Sequence, residues 1–286
     1  MIAVGDLLRA AAAQLAAAGI DSASLEARLL LAHALGVDRT TLIDRRQSID
    51  PAAFNVLLAR RLTHEPLAFI TGRQGFWTLD LAVSPATLIP RADSETLISA
   101  AITHCAAPPE RILDLGTGTG CLLLAALVEF PTAFGVGVDL NPAAAALANR
   151  NAKEAGLGPR AAFLAGSWAT ALSGKFDLIL SNPPYIREAD IAELMPEVAV
   201  FEPTSALDGG PDGLVAYRAL ALALPALLTP TGLAIFELGA GQAEDVTAIA
   251  GRQGLARVAL VADLGGIPRA LVVKPQKTFG SEDTDR

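Results

Sequence analysis

The chain has 286 residues, 52% of them hydrophobic and 18% charged, with a net charge of -8 and a sequence pI near 4.9. That balance excludes disorder over most of the chain, and no uninterrupted apolar run reaches the ~18 residues of a membrane span. Residues 1 to 75 carry eight Arg against seven Asp or Glu, and the remainder fourteen basic against twenty-three acidic residues; an acidic body without a basic stripe is a poor surface for nucleic acid.

The amino terminus, "MIAVGDLLRAAAAQLAAAGI", is interrupted by Asp6 and Arg9, so it reads as an amphipathic helix and not as a secretory leader. Leu7, Leu8 and Leu15, then Leu25, Leu29 and Leu30, recur at helical spacing; Gly19 ends the first helix and Asp21 or Ser22 caps the second. A further helix starts after Asp50-Pro51, with proline in its first turn. Residues 1–72 are expected to form a small all-helical bundle. The basic pairs Arg45/Arg46 and Arg60/Arg61 are expected on solvated helix faces. His33, His64 and His104 lie outside any Cys or carboxylate pattern and are read as structural. Cys105 and Cys121, the two cysteines, support neither a disulfide framework nor a zinc site, which fits a reducing cytoplasm.

At residues 73–90 the helical rhythm gives way to period-two alternation through Phe76, Trp77, Leu79, Leu81 and Val83, the pattern of a β-hairpin linking two domains. From there strands are expected near 111–115, 134–139, 161–165, 176–181, 232–238, 255–261 and 269–274, most separated by helices. The alternation implies an α/β domain over 91–275 with a mostly parallel sheet. The polar tail from 276 to 286 is expected to fray.

Within that domain, "RILDLGTGTGCLLLAAL" is a strand, a glycine loop and a helix in succession. Gly116, Gly118 and Gly120 let the backbone approach a ligand closely, but the dinucleotide fingerprint G-x-G-x-x-G needs glycine where Cys121 stands. Spacing therefore argues against NAD or FAD. A second strand ends at Asp139, nineteen residues beyond Gly120, where a carboxylate can accept from ribose hydroxyls. A third element, "FDLILSNPPYI", is a buried-strand run stopped by Pro183 and Pro184. It delivers Asn182 to the carboxyl end of the sheet, where open α/β folds bind ligands.

These elements resemble class I S-adenosylmethionine-dependent methyltransferases, and Asn182-Pro183-Pro184-Tyr185 is similar to the tetrapeptide of their nitrogen-methylating members. The tetrapeptide alone does not distinguish adenine, guanine and glutamine. The wider set is "HEPLAFITGRQGFWTLDLAVSPATLIPRADSETLI", "FEPTSALDGGPDGLVAYRAL" and "DLGGIPRALVV" together with the glycine loop and "LSNPPYI". It resembles the release-factor glutamine methyltransferase family.

The resemblance implies a doubly wound, seven-stranded class I methyltransferase domain. It implies methyl transfer from S-adenosylmethionine, leaving S-adenosylhomocysteine, to the amide nitrogen of the Gly-Gly-Gln glutamine in class 1 peptide chain release factors. Gly116, Thr117, Gly118, Thr119, Gly120, Asp139, Trp168 and Asn182 are then expected to contact the cofactor. Asn182, Pro183, Pro184 and Tyr185 are expected to hold the glutamine, with Tyr185 stacking on its flat group. The helical bundle is expected to grip the release factor, and the enzyme to be a cytoplasmic monomer with no metal, no membrane contact and no direct nucleic-acid binding. The rival readings are an adenine or guanine N-methyltransferase and a catalytically silent cofactor-binding module. Two departures stand out: Ala92 and Ser94 where the family has Pro and Thr, and Ser167 where an acidic residue is common.

Overall fold

The computed structural model describes residues 1–38, 40, 44, 46–170 and 172–276. The tail beyond residue 276 and Arg45 of the first basic pair lie outside them. The chain divides into two compact units, Met1–Arg73 with Met195–Phe201, and Gln74–Leu194 with Glu202–Arg286.

In the first unit, a short strand β1 (Ile2–Ala3) leads into helix α1 (Val4–Ala17), followed by α2 (Ala23–Leu35), β2 (Ser48–Ile49), α3 (Ala52–Leu62) and α4 (Leu67–Thr71). Leu7, Leu15, Leu30, Leu31, Phe54 and Leu58 form its core, each buried aliphatic side chain contributing about 1.5–3 kcal/mol of transfer free energy. The unit is not helical throughout, because β1 and β2 pair antiparallel, Ile2 opposite Ile49. Two residues per strand are too few for a periodic signal. Ser22 occupies the N-cap of α2 without a side-chain capping bond. Pro51 sits at the N-cap of α3 rather than inside its first turn, and the Asp50 carboxylate accepts from the Ala52 N–H at 3.0 Å.

Arg61 corrects the expectation of a solvated pair. It is 5% exposed and donates to Glu26 at 2.5 Å, to Glu197 at 3.2 Å and to the Glu65 carbonyl at 3.3 Å. Glu197 also meets His64 Nδ1 at 3.2 Å. A buried guanidinium keeps its charge only with such partners, and they come from segments 35 and 136 residues away, so spacing could not reveal them. Arg60 is the solvated partner, paired with Glu65.

In chain order the second unit takes in β3 (Arg73–Phe76) from Gln74 onward, then β4 (Leu79–Ala82), α5 (Glu95–His104), β5 (Arg111–Leu115), α6 (Cys121–Glu129), β6 (Phe134–Asp139), α7 (Pro142–Glu154), β7 (Ala161–Ala165) and β8 (Phe176–Ser181). After the single turn α8 (Pro196–Ala199), which clusters with the first unit, come α9 (Val215–Leu227), β9 (Leu228–Glu237), α10 (Ala243–Arg252), β10 (Leu255–Ala262) and β11 (Pro268–Pro275). Strands β3 and β4 form the expected two-stranded sheet.

The large sheet has seven strands in the order β10-β11-β9-β8-β5-β6-β7. Strands β9, β8, β5, β6 and β7 run parallel, while β11 lies antiparallel between β9 and β10. Alternate residues of the central strands enter opposite cores: Ile112, Leu178 and Leu180 join residues of α5 and α6, and Leu113, Leu115 and Ile179 join those of α9 and α10. Both faces are dry, which is why these strands read as continuous apolar runs. Strand β9 begins at Leu228, four residues before the expected 232, since its Thr-Pro-Thr lead-in reads as a turn yet Leu228 pairs with Phe176 across a register shift.

Candidate active site

Parallel pairing of β5 with β8, Asp114 opposite Leu180, sets the carboxyl ends of the two strands side by side. The Ser181 hydroxyl donates to the Leu115 carbonyl at 2.7 Å, fastening those ends together. The glycine loop therefore leaves β5 next to the residue that follows Ser181, which is Asn182. Around this corner lies a cavity of about 300 Å³, lined by Gly116, Thr117, Gly118 and Thr119 of the loop, Asp139, Trp168, Asn182 and Pro184, all within the second unit.

The loop is held from both sides. The Gly116 and Thr117 N–H groups donate to the Val138 carbonyl at 2.9 and 3.0 Å, and the Gly118 N–H donates to Asp139 Oδ2 at 2.8 Å. Asp139 Oδ1 accepts from the Asn141 N–H at 2.8 Å. Each carboxylate oxygen keeps a free lone pair, so Asp139 is aimed but not saturated. Gly116 has φ +78°, and a Cβ there would come within 3.7 Å of the Trp168 ring and 3.9 Å of the Asn182 carbonyl, at the cavity wall. Trp168 itself holds φ +46°, a strained backbone for a bulky residue. This cradle, with a diol-accepting carboxylate on its rim and an aromatic wall, fits a nucleoside-bearing cofactor.

Beneath the loop, Asp114 is fully buried. Its Oδ2 accepts from Thr117 Oγ1 at 2.7 Å, while Oδ1 has no partner among the described residues. Burial pushes its carboxyl up to about 7, the Thr117 bond opposing part of that shift. Asn151 of α7 donates to the Thr119 carbonyl at 2.9 Å and exchanges bonds with the Ala82 backbone at 2.9 and 3.0 Å, tying the end of β4 to the loop.

Asn182 Nδ2 donates to the Ser94 hydroxyl at 3.1 Å, and Ser94 donates in turn to Glu237 Oε2. Glu237 ends β9, is 2% exposed, and accepts from the Tyr185 hydroxyl through Oε1 at 3.3 Å. Burial raises its pKa above the ordinary carboxylate value, against the lowering pull of Ser94, Arg269 and Tyr185. The backbone behind the prolines is braced as well. Gln242 Nε2 donates to the Tyr185 carbonyl at 3.0 Å, and the Gly209 N–H donates to the Ile186 carbonyl at 2.8 Å. Gly213 packs so closely that a Cβ would fall 2.5 Å from the Tyr185 carbonyl oxygen. The segment "ALDGGPDG" is the mould of the tetrapeptide's far end.

Not every expected site residue lines the cavity. Gly120 is buried at the N-cap of α6 and packs against α7 and β7, where a Cβ would meet Ala148 at 3.1 Å and Phe163 at 3.4 Å. Pro183 is buried and shapes the corner without facing the cavity. Tyr185 is also absent from the wall: it is half-buried, and its hydroxyl donates to Glu237. Conversely, the wall includes residues outside the expected set, Thr87, Arg91, Ser94, Leu140 and Asn141 among them. Arg91 pairs with the buried Glu202. Leu140 is 71% exposed; its position directly after Asp139 at the end of β6 is the one local sequence signal for it. No group of side chains suited to a metal ion exists among the described residues, and none of their helices is long and apolar enough to cross a membrane.

Comparison with known proteins agrees with this geometry. Residues 6–72 match the family model described as PrmC N-terminal domain, and residues 93–221 match Methyltransferase small domain. The hMettl16 catalytic domain, solved in complex with MAT2A 3'UTR hairpin 6, superposes with a TM-score of 0.58 at 15% identity over 79% of this chain and 84% of that one. A methyltransferase from Pyrococcus furiosus gives 0.54 at 16% identity, over 76% and 97%; both likenesses concern the fold. Among curated relatives, the release factor glutamine methyltransferase of Rhodospirillum rubrum is 47% identical over 96% of this chain and 85% of its own length. The proteins of that name from Cereibacter sphaeroides and Vibrio cholerae are 44% and 40% identical, over 92% and 98% of this chain. With identity of this order over nearly its whole length, the chain belongs to the release factor glutamine methyltransferase family.

Proposed function

We propose that this protein transfers the methyl group of S-adenosylmethionine to the side-chain amide nitrogen of the glutamine in the Gly-Gly-Gln motif of class 1 peptide chain release factors. The observation that carries the reading is the placement of Asn182. Its carboxamide is anchored through Nδ2 to Ser94 and leaves Oδ1 without a partner among the described residues, on the cavity wall that also holds the glycine loop and Asp139. When bound, the cofactor supplies an electrophilic methyl carbon.

The chain's own residues supply position. Asp139 would accept from the ribose hydroxyls, the Gly116–Thr119 backbone would pass beneath the methionine and ribose, and Trp168 would cover the adenine. Asn182 Oδ1 would accept an N–H of the incoming amide, whose delocalised lone pair makes it a poor nucleophile. Accepting that hydrogen bond aims the nitrogen and favours the positive charge that develops as the methyl–nitrogen bond forms and the methyl–sulfur bond breaks; the surplus proton then leaves to water. The carboxylate on the cavity wall, Asp139, is held by Gly118 and Asn141 and assigned to the ribose, so holding the reactants in line is the main source of rate, worth up to about 7–11 kcal/mol in ideal cases.

An adenine or guanine N-methyltransferase would use the same corner. The acidic surface and the names of the relatives favour the protein substrate. We assign the first unit to gripping the release factor. Incubating the protein with labelled cofactor and either a release factor or ribosomal RNA tests the reading: label in the release factor supports it, and label in RNA alone overturns it.

A further inference from the structure

The carboxamide of Asn182 has two chemically opposite ends, and only one of them suits the reading above. Oδ1 must face the cavity to accept, so Nδ2 must face away. What fixes that choice lies outside the tetrapeptide. Ser94 is 2% exposed and has a single hydroxyl proton, which it gives to Glu237 Oε2. Burial opposes the charge on Glu237, while Ser94, Arg269 and Tyr185 favour it; in its ionised form the carboxylate can only accept. Ser94 is therefore left with lone pairs toward Asn182, and lone pairs can bind only the N–H end, at 3.1 Å. The second oxygen of Glu237 accepts from Tyr185 at 3.3 Å, so one buried carboxylate grips both ends of Asn182–Tyr185.

We propose that Glu237, acting through Ser94, is a positioning residue that dictates which end of the Asn182 carboxamide faces the substrate. The inference rests on the amide-methylating reading and deepens it. A glutamine at position 237 would have nearly the same shape but could donate to Ser94. The Ser94 proton would then turn to Asn182 and attract Oδ1, presenting the NH₂ group to an incoming N–H, donor against donor. The family's usual threonine at position 94 keeps the hydroxyl, so the departure to serine leaves this chain of bonds intact.

The test uses the full-length protein, a release factor as substrate and S-adenosylhomocysteine as the binding probe. Glu237→Gln and Ser94→Ala should each lower kcat roughly 10- to 100-fold, while the cofactor Kd and the KM for the release factor stay within about threefold. Ser94→Thr should recover at least about tenfold over Ser94→Ala. A fall in kcat matched by an equal loss of cofactor affinity, turnover of both variants near wild type, or a Ser94→Thr no better than Ser94→Ala would overturn the proposal.

The amide orientation can also be read without turnover. In protein labelled with ¹⁵N-asparagine, the Asn182 side-chain amide protons should show contacts to the Ser94 β-protons in the wild type and lose them in Glu237→Gln; contacts persisting in both overturn the proposal. Wild-type protein that methylates no glutamine would instead sink the assigned substrate, and the NMR comparison would still decide the orientation.

Discussion

The side-chain amide of Gln242 donates to the main-chain carbonyl of Tyr185 at 3.0 Å. The same side chain accepts from the Gly239 N–H at 3.1 Å and lies 3.4 Å from the Tyr217 hydroxyl. One glutamine at the start of α10 thus holds the backbone of the Asn-Pro-Pro-Tyr corner against the end of β9.

Gln242→Ala strips several buried groups of their partners at once. Each such orphan costs about 1–3 kcal/mol, so the variant should lose about 2–3 kcal/mol of stability in urea denaturation. Its kcat should fall about tenfold with little change in cofactor affinity, because the corner loosens while the glycine loop does not.

Asp139→Ala removes the acceptor held in place by Gly118 and Asn141. Two hydrogen bonds to a charged group are at stake, each worth about 1.5–3 kcal/mol. Titration calorimetry with S-adenosylhomocysteine should show Kd rising roughly 100-fold or more, and Asp139→Asn should fall between that variant and the wild type. An unchanged Kd would remove Asp139 from the cofactor site.

Asp114 makes stability depend on pH. Its folded carboxyl is raised to about 7 by burial, from an ordinary value of 3.8. A raised acid contributes its full stability below about pH 4, and that contribution is lost as pH rises through about 7. Asp114→Asn cannot ionise. Its stability relative to the wild type should therefore be greater at pH 8 than at pH 5, by about 2 kcal/mol, read as several degrees in Tm. An equal difference at the two pH values would show that Asp114 titrates normally.

Much of this was legible in the sequence wherever the cause is local. A strand covered on both faces is apolar at most positions, so Ile112–Leu115 and Phe176–Leu180 announce themselves despite Asp114 and Asp177. A loop whose backbone nears a ligand needs glycine at Gly116 and Gly118, and two prolines must end β8. The rest depends on contacts between distant segments. Ser94 lies 88 residues from Asn182, Gln242 lies 57 from Tyr185, and Glu237 is an acidic residue at the end of the apolar run Leu233–Phe236, with no periodic signal to set it apart. Tyr185 shows the same limit: its place beside Pro184 suggests a stacking ring, but the buried carboxylate that accepts from its hydroxyl comes from β9, 52 residues away, and has no local signal.

Asn182→Ala tests the central claim most directly, with cofactor Kd and methyl transfer to a release factor, located by mass spectrometry, measured on the same preparation. The account predicts a Kd within a few-fold of wild type and no detectable methyl on the glutamine, since the lost interaction is one that strengthens in the transition state. Turnover equal to the wild type would contradict it.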